Sequence, residues 1–372
     1  MKNELNIEDS KFIYAKNELS YQEILDEMKT AKKIVVVTFN ISKDNTSLID
    51  CLRETSDDCD ITMITNIPQR WDNYRTNWSR SVAHKQIRIY LSKLNPEKIG
   101  QRASVFFNFS NHGKIIMTED VAYIGSANFS EESSDNIEFG IISRDKRFIS
   151  FLLNDLIPDI VAESEPYYEY DFLPLLLECK MATLALYKLL NELCEQAYFL
   201  HDDIDGKGYI FNTNEDIYST QTCTDIIRLL KTINHIASDI YDAIAKITND
   251  NEKKTDEAAE IYDTISTLSR EIESLLTSQD VWDLFNFDIN IRANSILQNE
   301  YSLEAYDEML QHYAEKAFQK ASDEFCGIAQ ASKNNITSIL KGMKTLHKET
   351  VKIYKLLKAY ELRKTNPKID NT

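Results

Sequence analysis

The stretch that decides the reading is Asn111-His112-Gly113-Lys114-Ile115-Ile116-Met117-Thr118-Glu119-Asp120-Val121-Ala122-Tyr123-Ile124-Gly125-Ser126-Ala127-Asn128-Phe129-Ser130. Strand side chains alternate between faces, so a strand beginning at His112 sends His112 and Lys114 to one side. A tight turn at Glu119-Asp120 leads into a second strand, Ala122 to Gly125. Gly125-Ser126 then ends that strand and returns Ser126 and Asn128 to the first pair. An imidazole, an ammonium, a hydroxyl and a carboxamide are thereby expected around one spot. Lysine and asparagine can hold the non-bridging oxygens of a phosphate, and an imidazole can attack phosphorus. This chemistry calls for no metal and no cofactor, because side chains meet the phosphate charge.

Working outward, residues from about 20 to 165 alternate helix and strand signals. Tyr21 to Lys29 reads as a short helix. Lys32 to Asn40 is a β-branched run suited to a central strand, and Asn45 is placed to cap a helix through Glu54. Further strands are expected at Asp60 to Asn66, Gln86 to Leu91, Ser104 to Phe109, Lys114 to Thr118, Val121 to Ile124 and Ile137 to Ile142. A helix follows over Arg147 to Ile157. The pattern predicts an α/β domain on a mixed sheet, residues 1–168.

Beyond Pro174 strand signals vanish and the apolar period lengthens. Ile226, Leu230, Ile233, Ala237, Ile240, Ile244 and Ile247 alternate spacings of four and three, an a/d seam. Ala258, Ile261, Ile265, Leu268, Ile272 and Leu275 repeat it after the polar turn Asp250 to Thr255, which predicts an antiparallel helical hairpin. Tyr301 to Leu362 supplies one or two more helices, with a break expected near Gly327 or Lys333-Asn334-Asn335. His201 to Gly208 lacks the oxygen-ligand spacing of a calcium loop and reads as a polar turn. Residues 169–372 are thus expected to form an all-α bundle or coiled-coil domain.

The formal net charge of −18 over 372 residues argues against coating nucleic acid or an anionic membrane by bulk charge. The N-terminus has no apolar core of signal-peptide length, and no run of about 18 apolar residues occurs. Six cysteines without CxxC spacing read as reduced thiols in a cytoplasmic protein.

The decisive stretch resembles the signature of the phospholipase D superfamily: His112-x-Lys114, an acid, then Gly125-Ser126-x-Asn128. Downstream, Ser134-Asp135-Asn136-Ile137-Glu138 is similar to the segment carrying the acid of single-motif members. The resemblance spans roughly residues 30 to 165 and implies a mixed-sheet phosphodiesterase domain. It implies His112 as nucleophile, Lys114 and Asn128 as phosphate ligands, Ser126 as their support and Glu138 as the acid that orients the imidazole. The chain departs from the pattern in having Glu119 rather than Asp, with a run to Gly125 one residue shorter; Asp120 is the other acid at that turn. Hydrolysis through a phosphohistidine needs two proton-handling groups. The chain has no second His-x-Lys, so the resemblance implies a homodimer sharing one site.

For the substrate, residues 67–102 carry eight basic side chains against Asp72 and Glu97, with Trp71, Tyr74 and Trp78 interleaved. Cations beside stacking rings suit a nucleic-acid strand, which makes Arg70, Trp71, Arg75, Trp78 and Arg80 the candidate substrate contacts. The leading expectation is a metal-independent endonuclease acting on DNA or RNA, with no membrane involved. Two alternatives stand beside it: a phospholipid phosphodiesterase or phosphatidyltransferase, and a catalytically silent scaffold whose bundle recruits a partner ATPase in antiviral defence. From residue 166 onward Asp+Glu number 34 against Lys+Arg 22, so the bundle is the more acidic half and a candidate for gating the site or docking a partner protein.

Overall fold

The computed structural model describes residues 9–42, 46–67, 87–167, 171–203, 206–213, 218–248, 252–301 and 307–365. The chain divides into two compact units, Met1–Tyr170 and Asp171–Thr372.

The first unit is built on an eight-stranded mixed sheet in the order β1-β7-β6-β5-β2-β3-β4-β8. Its strands are β1 (Ser10–Lys16), β2 (Lys33–Thr38), β3 (Asp60–Thr65), β4 (Ala103–Phe107), β5 (Ile115–Thr118), β6 (Ala122–Gly125), β7 (Ile137–Ser143) and β8 (Glu165–Pro166). β2, β3 and β4 run parallel, and the other pairs are antiparallel. The run Ile34–Val37 is buried on both faces, as a β-branched central strand should be. On one face Val35, Val37, Ile64, Ile115 and Met117 pack with Phe148, Ile149, Leu152 and Ile157. These last four lie on a continuous helical run: α5 (Lys146–Phe151), a π turn at Leu152–Leu156, and α6 (Ile157–Ala162). Pro158 lacks an N–H and crowds the carbonyl four residues back, and the wider π turn just before it accommodates both effects. Helices α1 (Gln22–Met28) and α2 (Ser47–Arg53) bury Ile24, Leu25, Met28, Leu48 and Leu52.

Besides the short helix Pro96–Ile99 and the short strand β8, which the sequence reading did not include, this unit departs from the sequence expectation at residues 87–93 and at β1. Where a strand was expected over Gln86 to Leu91, residues 87–93 form helix α3, followed by α4 (Pro96–Ile99). Ile87, Tyr90, Leu91 and Leu94 are buried while Ile89 is exposed. Those spacings of three and four belong to a helix, and they outweigh the β-branched look of Ile-Arg-Ile. β1, unforeseen, pairs with β7 along its whole length. Its ends are marked by Asp9 and Asn17, both at positive φ, where short polar side chains are tolerated.

The second unit is helical: α7 (Leu173–Ala197), α8 (Thr220–Thr248), α9 (Glu252–Leu276), α10 (Gln279–Asn286), α11 (Ile289–Glu300) and α12 (Asp307–Thr365). The α8 seam is buried from Ile226 to Ile244 as spaced in the sequence, and α8 packs on α9. Two corrections apply here as well. A hairpin interrupts the helices, β9 (Tyr198–Asp203) against β10 (Gly206–Phe211). The aromatic and β-branched runs Tyr-Phe-Leu and Tyr-Ile-Phe flanking an Asp-Gly dipeptide are its signal. Moreover α12 runs 59 residues without the break expected near Gly327 or Lys333-Asn334-Asn335. Its mid-helix polar groups have partners: Ser332 Oγ donates to the carbonyls of Ile328 and Asp280, and Asn335 Nδ2 donates to Asp280 Oδ2 at 2.7 Å.

Candidate active site

His112 and Lys114 sit on the connection from β4 to β5, and Lys114 immediately precedes β5. Amides hold that connection. Asn108 Oδ1 accepts from Ser110 N (3.0 Å), and Asn66 Nδ2 donates to the carbonyls of Phe109 and Asn111 (3.2 Å each). Asn111 Oδ1 accepts from Gly113 N (3.0 Å), while its Nδ2 donates to Thr38 O (2.9 Å). The segment 109–113, which has no strand partner, is thus tied to its surroundings by side-chain amides.

Lys114 is buried, with its Nζ 2.7 Å from His112 O and 3.3 Å from His112 Nδ1. An ammonium only donates, so a contact at Nδ1 draws on that nitrogen's lone pair. Burial pulls the Lys114 pKa below the ordinary lysine value, and the nearby charge of Glu138 opposes that shift. Phe39 lies against both groups. Its ring centroid is 4.9 Å from that of His112 and 5.7 Å from Lys114 Nζ.

The second arm follows β6. Gly125 leaves room that no side chain could share, because a Cβ there would collide with the ring of Tyr123 and the carbonyl oxygen of Phe139. Ser126 is thereby brought against β7: its N–H donates to Phe139 O (2.8 Å), its Oγ accepts from Phe139 N (3.0 Å), and its Oγ donates to Glu138 Oε2. The buried Glu138 carboxylate therefore takes its hydrogen bond from Ser126 rather than from His112, and it acts on Lys114 through charge. Asn128 is fixed through its carbonyl, which accepts from Tyr21 Oη (2.9 Å) and Ser133 Oγ (3.1 Å). Its side-chain Oδ1 lies 3.5 Å from Thr38 Oγ1. Burial raises the Tyr21 pKa, which keeps that phenol a donor.

His112, Lys114 and Ser126 share a cavity of about 630 Å³ whose other walls are Phe12, Ile124, Gly125, Phe139, Gly140 and Ile141. Asn128 and Glu138 are not among the residues of this lining. Glu119 is outside it: its two carboxylate oxygens accept from Lys32 N (2.9 Å) and Lys33 N (3.0 Å) at the start of β2. Arg70, Trp71, Arg75, Trp78 and Arg80 lie outside the described residues. Sequence reasoning missed Phe39, Thr38 and Asn66. Asn111, directly before His112, was the one member of this frame with a positional signal.

Residues 24–157 match the family model described as cardiolipin synthase, PLD-like domain. The first unit is a phospholipase D-like domain. Among solved structures, the chain is similar to Nuc from Salmonella typhimurium, a phospholipase D family member. The identity is 13%, covering 43% of this chain and 98% of that one, at a TM-score of 0.30. NucT from Helicobacter pylori gives 13% identity over 42% and 98%, also at 0.30. An archaeal chromatin protein, TrmBL2, gives 10% over 44% and 56%, at 0.26. A search of curated protein sequences gave no match. Placement in the phospholipase D superfamily rests on the family match, which stops short of the helical unit. Among the described residues no helix is long and apolar enough to cross a membrane.

Proposed function

We propose that the chain is a phosphodiesterase acting on nucleic acid, DNA or RNA, as a cytoplasmic homodimer whose two His112 imidazoles share one site. The observation that carries this reading is the cavity in which His112, Lys114 and Ser126 meet. In the proposed reaction the His112 imidazole attacks phosphorus, a P–N bond forms, and the P–O bond to the leaving group breaks. His112 of the partner subunit gives its proton to the leaving oxygen. It then takes a proton from water, whose oxygen displaces the first imidazole. Lys114 and Asn128 would hold the non-bridging oxygens, with Ser126 and Glu138 bracing Lys114 and the Gly125 turn.

Two features support a second copy. The chain carries one His-x-Lys. In addition, the outward face of β1 and β7 is apolar: Phe12 lies opposite Ile141 and Tyr14 opposite Phe139, and with Ile137 these side chains are 40–68% exposed. That face continues into the cavity through Phe12, Phe139 and Ile141, and contiguous exposed apolar surface marks interaction sites. Nucleic acid is favoured over lipid by the basic, aromatic segment 67–102.

The test is incubation with single- and double-stranded DNA, RNA and phosphatidyl vesicles in EDTA, wild type against His112→Ala. Cleavage of a nucleic acid that falls by about 10⁴-fold or more in the variant is the expected result. Release from vesicles alone would replace the nuclease with a lipid phosphodiesterase. Cleavage unaffected by the substitution would remove His112 from the chemistry.

A further inference from the structure

We propose that Phe39 is a positioning residue of the site. Its ring holds the His112 imidazole and the Lys114 ammonium in one arrangement and favours the charged form of Lys114. The proposal rests on the phosphodiesterase reading above for its kinetic consequences, but not for its geometry.

Phe39 directly follows the last residue of β2, and the chain is tightly tied at that point. Thr38 Oγ1 accepts from Phe129 N (2.9 Å) and donates to Asn40 O (2.7 Å), while Thr38 O accepts from Asn111 Nδ2 (2.9 Å). The end of β2 is therefore bonded to both arms of the motif, one residue before His112 and one residue after Asn128. A side chain leaving the backbone there is fixed relative to both arms. The ring is tilted 54° to the imidazole at 4.9 Å, within the range in which aromatic pairs attract. Lys114 Nζ lies 5.7 Å from its centroid, inside cation–π reach. Phe39 is half-buried and is not part of the cavity wall, so it acts through His112 and Lys114 rather than on substrate. Burial lowers the Lys114 pKa. The negative face of an aromatic ring pulls the other way, so losing the ring favours the neutral amine.

The experiment compares Phe39→Leu, which keeps apolar volume, with Phe39→Tyr, which keeps the ring, in the full chain; Phe39→Met replaces the leucine variant if that fails to fold. Three readouts are taken. The first is the His112 ring-proton shift in the unliganded protein, which reports the ring current of Phe39. The second is the Lys114 side-chain titration followed by nuclear magnetic resonance. The third is kcat and KM across pH on the nucleic acid cleaved best by wild type. In Phe39→Leu the His112 resonances move toward ordinary imidazole values, and Lys114 titrates at lower pH than in wild type. There kcat falls about tenfold with KM nearly unchanged, and the alkaline limb of kcat moves to lower pH. Phe39→Tyr restores all of these. The proposal is overturned if the leucine variant leaves the His112 resonances and the Lys114 titration in place, or if the tyrosine variant behaves like leucine. A fall in kcat with the Lys114 titration unmoved also overturns it, leaving Phe39 as packing alone. The first two readouts need no turnover, so a protein that cleaves no diester refutes the phosphodiesterase reading while still deciding the role of Phe39.

Discussion

Glu119 stands where the superfamily signature has an aspartate, and it spends both carboxylate oxygens on backbone, the N–H groups of Lys32 and Lys33. Burial works to raise its pKa. The backbone hydrogen bonds outweigh burial, and the pKa lies below the ordinary glutamate value. A carboxyl with a depressed folded pKa adds stability that is present above its unfolded pKa and is lost as pH falls through the folded one. Glu119→Gln is therefore expected to destabilise the first unit by about 1 kcal/mol at pH 7. The difference should close below about pH 4, and kcat should remain near wild type. Thermal unfolding at pH 7 and pH 3.5 checks this, and an equal loss at both pH values would mean the charge is not what matters. The longer glutamate reaches the neighbouring strand, which accounts for a signature that tolerates the departure. At this scale the sequence exposed what the chemistry demands. An imidazole, an ammonium and a Gly-Ser turn at fixed spacing have few other reasons to coincide. Thr38, Asn66 and Phe39 were hidden because their roles depend on contacts made across the sheet, and a threonine, an asparagine or a phenylalanine at a strand end is commonplace. Glu138 was visible as an acid, but its hydrogen bond to Ser126 was not, since alternation along β7 fixes its side of the sheet and not its partner.

The parallel core strands and the long helices were legible because burial on both faces, or along one seam, writes a strong period into the sequence. Where two periods compete over a few residues, the shorter signal misleads. Residues 87–94 carry both an Ile-x-Ile alternation and a spacing of three and four, and tertiary burial selects the helix. β1 was missed because its outward residues Phe12 and Tyr14 are exposed, so it lacks the polar-out pattern of an ordinary edge strand. In α12, glycine and a polar triplet were read as breakers, although neither breaks a helix that has partners on one side. Gly327 faces open space, and no atom would meet a Cβ there. Gly327→Ala should therefore stabilise the second unit by about 0.5–1 kcal/mol through helix propensity alone. Gly342 is the opposite case. A Cβ there would come within 2.9 Å of Ile272 Cγ1 on α9, so Gly342→Ala should gain nothing, or lose about 1 kcal/mol as α9 and α12 are forced apart. Chemical denaturation of the two variants separates these outcomes. Similar gains at both positions would show that α9 yields freely and that Gly342 does not set the approach of the two helices.

For the whole molecule, the question is how a chain of net charge −18 would meet a copy of itself. Like charge opposes association at long range, so a dimer must be held by uncharged surface, and the row Phe12, Tyr14, Ile137, Phe139 and Ile141 supplies it. Raising salt from roughly 10 mM to 150 mM shortens the screening length from about 30 Å to about 8 Å. Self-association measured by sedimentation should therefore strengthen over that range, while affinity for a nucleic-acid strand weakens through lost counterion release. Phe139→Glu, which places a like charge against its own copy across a two-fold axis, should leave the chain folded, monomeric and inactive. A mixing experiment is sharper still. If every active site needs His112 from both protomers, adding an equal amount of His112→Ala chains and letting subunits exchange leaves about one quarter of the dimers wild type on both sides. Activity per total protein then falls to about a quarter of the wild-type value. If each protomer carries a complete site, half the activity survives. The two outcomes differ twofold at equal mixing and diverge as the variant is added in excess, because one falls with the square of the wild-type fraction and the other linearly. A linear fall would refute the shared site even if sedimentation found a dimer, because it would show association without joint chemistry.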